Sequence, residues 1–263
     1  MQGEVFLNDK RIFTTGILSG LGKYIHENLG GIGLTRATSP EDMEKIKNSG
    51  VDVIIHCAFN SRRGINSDSL YYYLEDNVLF TKKLVSIPHK KFIFLSSVDV
   101  YPKGVGTHPE DEIIDMDSIS GIYKITKLMS ESIVKTHCVN YLILRGTALL
   151  GKYSRKNSLI KIIEDDKCIL TLSSDSRFNY VLHSDILDFI KFSIDHDLKG
   201  IYNLASSENV TLLEVANILG KKVQFGNYLY DVGNIDNSKI SYVFPIFKKT
   251  SKEIITKFIG GKI

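Results

Sequence analysis

Cysteine is scarce in this chain: Cys57, Cys138 and Cys168 are its only three in 263 residues. Three thiols without metal-ligand spacing exclude a disulfide framework and a zinc site. No apolar run approaches the ~20 residues that cross a bilayer. The start, Met1-Gln2-Gly3-Glu4, lacks a basic region followed by an apolar one, so neither a membrane anchor nor a secretory leader is expected. Charge of one sign is lacking as well. Lys and Arg number 33 against 30 Asp and Glu, a net of +3, and the pairs Lys82-Lys83, Lys90-Lys91, Lys221-Lys222 and Lys248-Lys249 are short and scattered. They read as solvated faces rather than a phosphate-backbone footprint, so no nucleic-acid partner is expected. No internal repeat, low-complexity segment or Pro-rich linker interrupts the chain. A reducing cytoplasm is the expected location.

What remains is an ordinary globular composition, 43% hydrophobic and 24% charged, with a strong alternation. Short β-type runs at 11–15, 33–35, 51–57, 91–95 and 141–144 alternate with helical stretches at 20–28, after Ser39-Pro40, and at 69–86 and 118–137. Ser39 has the character of an N-cap and Pro40 of a first-turn residue. Leu70, Leu74, Val78 and Val85 mark one face of the 69–86 helix, and Ile122, Ile125, Met129 and Ile133 one face of the 118–137 helix. This rhythm predicts an α/β fold with a Rossmann-type, doubly wound parallel sheet. After Gly151 the elements shorten and the connections lengthen. The expected organisation is a sheet domain over 1–150, to which 184–204 returns, and a small C-terminal lobe from 151–183 and 205–263.

The first strand is followed by Thr15-Gly16-Ile17-Leu18-Ser19-Gly20-Leu21-Gly22, which opens the first helix. Gly16 suits a tight turn, Gly20 a close approach of backbone to a pyrophosphate, and Gly22 close helix–strand packing. Phosphates at such a place meet free N–H groups and the positive end of the helix dipole. Glycines also end strands for steric reasons alone. After the second strand stands Arg36, not an acid, which favours a 2′-phosphate, hence NADP over NAD, unless Arg36 is a solvent-exposed loop residue.

Tyr123 and Lys127 lie four apart on the long helix and share a face. A phenol that moves protons near neutrality needs its pKa of about 10 lowered by roughly 3 units, and a nearby ammonium in a dry cleft supplies part of that. Such pairs also occur on plain helix surfaces. Ser97 follows a strand end, where ligands of open α/β sheets bind; a loop serine there can equally cap backbone groups.

In order along the chain these segments resemble the NAD(P)-dependent epimerase/dehydratase family, the extended short-chain dehydrogenases/reductases. TGILSGLG (15–22) is similar to the family's glycine loop in its classical-branch spacing, with Ser19 where the extended spacing has its middle Gly. DVIIHCAF (52–59) resembles the fourth-strand motif that walls the cofactor, and Asn77 stands where the family often has Asn. FLSSVDVY (94–101) resembles the serine strand, YKITK (123–127) with Glu131 the catalytic helix, and YLILRGTALLG (141–151) the sixth strand and its loop. RFNYVLHSDI (177–186), IYNLASSENVTLLEVA (201–216) and DNSKI (236–240) have counterparts too. The sixth-strand loop departs from the pattern, with Gly146 and Ala148 in place of Pro and Asn. Val98 and Asp99 replace the Asp–Glu pair of the 4,6-dehydratases, so dehydration is disfavoured. Little sequence separates strands two and four, a compactness shared with reductases of nucleotide-linked 4-keto sugars.

The resemblance implies an NADP- or NAD-dependent oxidoreductase or epimerase acting on a nucleotide-linked sugar. Tyr123 is the acid/base, Lys127 holds the nicotinamide ribose and lowers the Tyr123 pKa, and Ser97 steadies the substrate oxygen. It places cofactor contacts at Gly16, Ser19, Gly20, Leu21, Gly22, Arg36, Cys57, Ala58, Phe59, Asn77, Ser96, Tyr123 and Lys127. Substrate contacts fall at Ser97, Val98, Asp99 and Arg177, the last a phosphate candidate. No metal is implied. Relatives dimerise through the helices matching 69–86 and 118–138, so a homodimer is expected. An NADP-binding sensor of the same fold and a reductase of a small carbonyl compound are the alternatives. Tyr71-Tyr72-Tyr73 reads as a helix surface or subunit interface, His56 and Cys57 as core, and His183 as a helix start capped by Ser184 or Asp185.

Overall fold

Runs such as IFTT (12–15) and VDVIIH (51–56) are buried almost from end to end, which a strand tolerates when both faces of its sheet are covered. The computed structural model describes residues 10–35, 38–62, 64–103 and 106–261. In chain order the first half contains β1 (Ile12–Thr15), α1 (Gly20–Leu29), β2 (Ile32–Leu34), α2 (Pro40–Ser49), β3 (Val51–His56), α3 (Ser67–Leu74), α4 (Phe80–Val85), β4 (His89–Ser97), β5 (Thr107–His108), α5 (Ile122–His137) and β6 (Tyr141–Gly146). There follow β7 (Ala148–Leu150), α6 (Ser158–Glu164), β8 (Cys168–Ile169), β9 (Arg177–Phe178), β10 (Tyr180–Leu182), α7 (His183–Asp195) and β11 (Gly200–Leu204). The chain ends with β12 (Val210–Thr211), α8 (Leu212–Leu219), β13 (Val223–Gln224), β14 (Asn234–Ile235), α9 (Ser238–Val243) and α10 (Ser251–Gly260).

Six strands form one parallel sheet in the order β11-β6-β4-β3-β1-β2. From β1 the chain steps outward to β2 and then crosses back to β3 on the other side. The strand order reverses between β1 and β3, and in open α/β sheets the ligand crevice lies at the carboxyl ends beside such a reversal. Among the described residues no strand intervenes between β2 and β3; α2 alone makes the crossing, which explains the short sequence there. One sheet face is sealed by Leu21 and Ile25 of α1, Ile186, Phe189 and Ile190 of α7, and Ile240 and Phe247 near the C-terminus. The other is sealed by Met43 and Ile46 of α2, Leu84 and Val85 of α4, and Val134 of α5. A separate core of Leu150, Leu159, Ile162, Tyr180, Leu182, Leu212, Val215 and Ile255 joins β7, β10, α6, α8 and α10.

Two helices differ from expectation. The 69–86 stretch is α3 and α4 joined through a π-helical segment, Glu75–Leu79. The wider turn rotates the face: Tyr73, Asn77, Thr81 and Leu84 are fully buried, while Leu70, Tyr71 and Tyr72 face outward. The long helix starts at Ile122, and its inward face is polar. Thr126, Lys127, Ser130, Glu131 and Val134 are buried, whereas Met129 is exposed. Apolar periodicity missed that face because its polar groups satisfy one another. Glu131 takes two hydrogen bonds from Arg145, at 3.1 and 2.8 Å, and one from the Ser96 hydroxyl at 2.5 Å. Ser39 caps α2 through the Asp42 amide, with Pro40 as the first helical residue. No helix among the described residues is long and apolar enough to cross a membrane.

Candidate active site

The turn after β1 is shaped by contacts that leave no room for side chains. Gly16 has φ +76°, and a Cβ there would stand 2.9 Å from the Ala58 amide nitrogen. A Cβ on Gly22 would meet the Gly16 and Thr15 carbonyl oxygens at 2.6 and 2.7 Å, so α1 rests directly on the β1 end. Gly20 is different: its φ is +60°, and a Cβ there would meet only ordinary contacts, Arg155 Nε at 3.9 Å and the Tyr153 carbonyl oxygen at 4.0 Å. Ser19, the α1 N-cap, makes no side-chain cap bond, and the first turn carries no acid. The first amides of α1 therefore keep their capacity for an anion.

Below the turn, Thr15 ties the neighbouring strand ends together. Its hydroxyl oxygen accepts from the Cys57 and Ala58 amides at 3.1 and 3.0 Å and lies 2.8 Å from His56 Nδ1. His56 Nε2 lies 3.0 Å from Thr81 Oγ1, which in turn donates to the Asn77 carbonyl at 2.6 Å. One neutral tautomer satisfies the whole chain, with Thr15 donating to Nδ1 and Nε2–H donating to Thr81. Burial agrees, pushing the His56 pKa down to about 3.

A cleft of about 1150 Å³ opens over these strand ends, larger than the ~300–1,000 Å³ of most small-ligand pockets. Gly16 to Gly22 line one end; Ser96, Ser97, Tyr123, Lys127 and Gly146 to Leu149 line the other. Tyr123 is half-buried, and its ring meets Phe59 edge-on at 5.6 Å. Lys127 Nζ lies 3.6 Å from the centre of the Phe59 ring and donates to the Leu95 carbonyl at 2.6 Å. Ser97 Oγ accepts from the Asp99 amide at 3.1 Å, leaving its proton to donate.

Burial pushes the Tyr123 pKa up to about 12; the Ser97 hydroxyl works against it, and the Asp99 carboxylate adds to it. Burial lowers Lys127 to about 7, opposed by Cys57 and Glu131. Burial thus outweighs the neighbouring groups at both residues: Lys127 donates to Leu95 and sits over Phe59 with its charge penalised, and Tyr123 keeps its proton.

A sequence profile described as the NAD dependent epimerase/dehydratase family matches residues 27–205. The chain belongs to this family. A search of curated proteins by sequence finds no significant match. Among solved structures, a dTDP-4-dehydrorhamnose reductase from Clostridium acetobutylicum superposes with a TM-score of 0.79 at 18% identity, over 95% of this chain and 98% of that one. The same enzyme from Bacillus anthracis, in complex with NADP, gives 0.78 at 17% identity, covering 97% and 100%. A UDP-glucuronic acid 4-epimerase from Bacillus cereus, with UDP-glucuronic acid and NAD, gives 0.75 at 18% identity, covering 94% and 97%. At these identities the likeness is one of fold.

Several residues expected at the site of this epimerase/dehydratase chain stand elsewhere. Asn77 is fully buried beneath the cleft; its amide accepts from the Asn60 N–H at 2.7 Å and donates to the Asn60 carbonyl at 3.0 Å. It shapes the loop after β3 and is not among the cleft-lining residues. Val98 packs with Val100, Tyr101 and Val232 and takes no part in the lining, because the turn after β4 points it inward. Ser96 borders the cleft, but its hydroxyl serves Glu131. Leu21 borders it from the core. Arg177 lines a second cavity, held by Asp231 at 3.3 Å and Asn234 at 2.6 Å. Asp99 sits just beyond the Tyr123 end, near Lys103 at 3.3 Å and the Tyr230 hydroxyl at 3.5 Å. Arg36 lies outside the described residues.

Thr147 occupies the point between the substituted Gly146 and Ala148. Its hydroxyl is directed at the Leu204 carbonyl and Asn179, so this loop turns no polar side chain to the cleft in place of the family's Asn. His183 starts α7 after an uncapped Leu182; Asp185 pairs with Lys249 and Lys257 instead of capping the helix. The sequence reading missed the cleft-lining positions of Arg155, Asn157 and His183. No local pattern marks these positions, and only folding brings them to this place.

Proposed function

We propose that this chain is an NAD(P)-dependent oxidoreductase or epimerase of a nucleotide-linked sugar. The observation that carries this reading is the convergence of Tyr123, Ser97 and Lys127 at the end of a cleft whose other end is the glycine turn. The residues present fit a dinucleotide. Two glycines admit no Cβ, a third lines the wall at positive φ, and the first turn of α1 carries no competing acid. Gly16 to Gly22 would hold the pyrophosphate, Ala58 and Phe59 one wall, and Lys127 the ribose next to the nicotinamide. The nicotinamide, when bound, supplies or accepts the hydride.

Everything else falls to the chain. Tyr123, protonated across the neutral range, is suited to give a proton to a carbonyl oxygen as it becomes an alcohol. Ser97, whose oxygen is already satisfied by the Asp99 amide, is oriented to donate to that same substrate oxygen. Phe59 packs against both Tyr123 and Lys127. The fold neighbours bound to NADP or NAD and acting on dTDP- or UDP-sugars support this substrate class. Thr35 lines the far end of the cleft, and with Arg36 next in sequence it supports NADP.

Tyr123→Phe removes one oxygen and leaves the ring against Phe59. Turnover of a dTDP- or UDP-4-keto sugar should fall 10²- to 10⁴-fold, the span of general acid catalysis, with NADP affinity within twofold of wild type by titration calorimetry. Retained turnover would overturn the assignment.

A further inference from the structure

The loop between β7 and α6, GKYSRKN (151–157), matches no binding motif, yet it lies across the cleft mouth and is pinned at two points. On one side the Tyr153 hydroxyl lies 2.8 and 2.7 Å from the two carboxylate oxygens of Glu27 on α1. Lys152 adds an ion pair to Glu27 at 3.7 Å, and Lys23 sits 4.3 Å over the Tyr153 ring. Ser154 folds the loop back on itself, accepting from the Gly151 amide at 2.6 Å. On the other side Arg155 Nη1 donates to Ser61 Oγ at 2.8 Å, on the loop after β3. Between the two anchors Arg155 lines the cleft beside Gly20, its Nε 3.9 Å from where a Cβ of that glycine would stand. Its one hydrogen-bond partner among the described residues is that serine, and no ion pair among them includes it. Among the described residues, four of its five N–H donors have no acceptor.

We propose that Arg155 is a ligand of the dinucleotide's pyrophosphate, carried to the glycine turn by the Lys152–Arg155 strap. This rests on the reading of the cleft as a dinucleotide site. The phosphates would then be held from two sides, by α1 amides below and by a guanidinium above. Occupation of the cleft exchanges the Arg155–Ser61 bond for a charge-assisted, fork-shaped one. Because NAD and NADP share the pyrophosphate, Arg155 strengthens both equally and does not choose between them. Glu27 and Tyr153 act through Arg155 as positioning residues.

The test is calorimetric affinity of NADP, NAD and ADP for wild type, Arg155→Ala, Arg155→Lys, Ser61→Ala and Tyr153→Phe. Arg155 is exposed, so its variants should keep the wild-type urea midpoint. Arg155→Ala should weaken all three ligands by the same factor, about tenfold. Arg155→Lys should restore part of the loss, Tyr153→Phe should cost less than Arg155→Ala, and Ser61→Ala should bind at least as tightly as wild type. Affinities unchanged by Arg155→Ala would overturn the inference. So would a loss confined to NADP, which would place the guanidinium at the 2′-phosphate. Wild type that binds none of the three would overturn the dinucleotide reading itself.

Discussion

A tyrosine four residues before a lysine invites the idea of an ammonium lowering a phenol's pKa, and here burial acts on both groups in the opposite sense. Lys127 is buried and committed to the Leu95 carbonyl, with its pKa near 7, while Tyr123 rises to about 12. The protonated phenol is the acid that carbonyl reduction needs, and it is present throughout pH 6 to 10. The phenolate needed for alcohol oxidation is scarce over the same range. At limiting cofactor, kcat/KM for reduction should therefore show no loss from Tyr123 up to pH 10. For oxidation it should keep rising toward pH 10 instead of levelling above 7. A bell or plateau centred near 7 in both directions, unaltered in a Lys127→Met background, would mean that Tyr123 titrates near neutrality after all.

The strand–turn–helix unit of β1 and α1 shows how one element separates packing from binding. Gly22 is a contact between backbones, since its missing Cβ would sit 2.6 Å from a carbonyl oxygen. Gly22→Ala must push α1 off β1, and overpacking of this kind costs about 1–3 kcal/mol. Gly20 holds φ +60° with only ordinary contacts beside it, so Gly20→Ala costs about 1 kcal/mol of backbone strain but adds a methyl to the cleft wall where a nucleotide would lie. Urea unfolding should rank Gly22→Ala as the more destabilised, while NADP titration should find binding lost in Gly20→Ala out of proportion to its stability. Equal losses of binding and stability in both variants would contradict this division. At the same scale, the π-helical segment at Glu75–Leu79 and the polar inner face of α5 both depend on partners from other strands. Local periodicity carries no trace of either.

Across the whole molecule, burial of imidazoles sets an acid limit. His56 and His183 are essentially inaccessible and have pKa values near 3 and 4, both lowered by burial. The unfolded chain protonates these groups below about 6.5 and the folded one does not. Stability is therefore lost as pH falls from about 6.5 toward 4, at about 1.4 kcal/mol per pH unit for each residue. Lys127, lowered to about 7, has the same sign at higher pH: stability rises between about 7 and its unfolded value near 10.5. Urea midpoints measured from pH 8 to 4.5 should fall steeply below 6.5; a flat profile there would mean that both rings are protonated in the fold.

The sequence by itself determined the sheet class, the strand–glycine–helix entry and the segments that hold Tyr123, Lys127 and Ser97. Each of these is written in local patterns: continuous apolar strands, residues needing positive φ, and groups spaced by one helical turn. Tertiary structure alone decided which hydroxyls are spent on neighbours and which remain for a ligand. It assigned Asn77 to a loop, Ser96 to Glu131 and Arg177 to a second cavity, and it brought Arg155 over the glycine turn. The physical reason is that a polar side chain's role is set by the partners within about 3 Å of it, and here those partners come from strands and loops far apart in the chain.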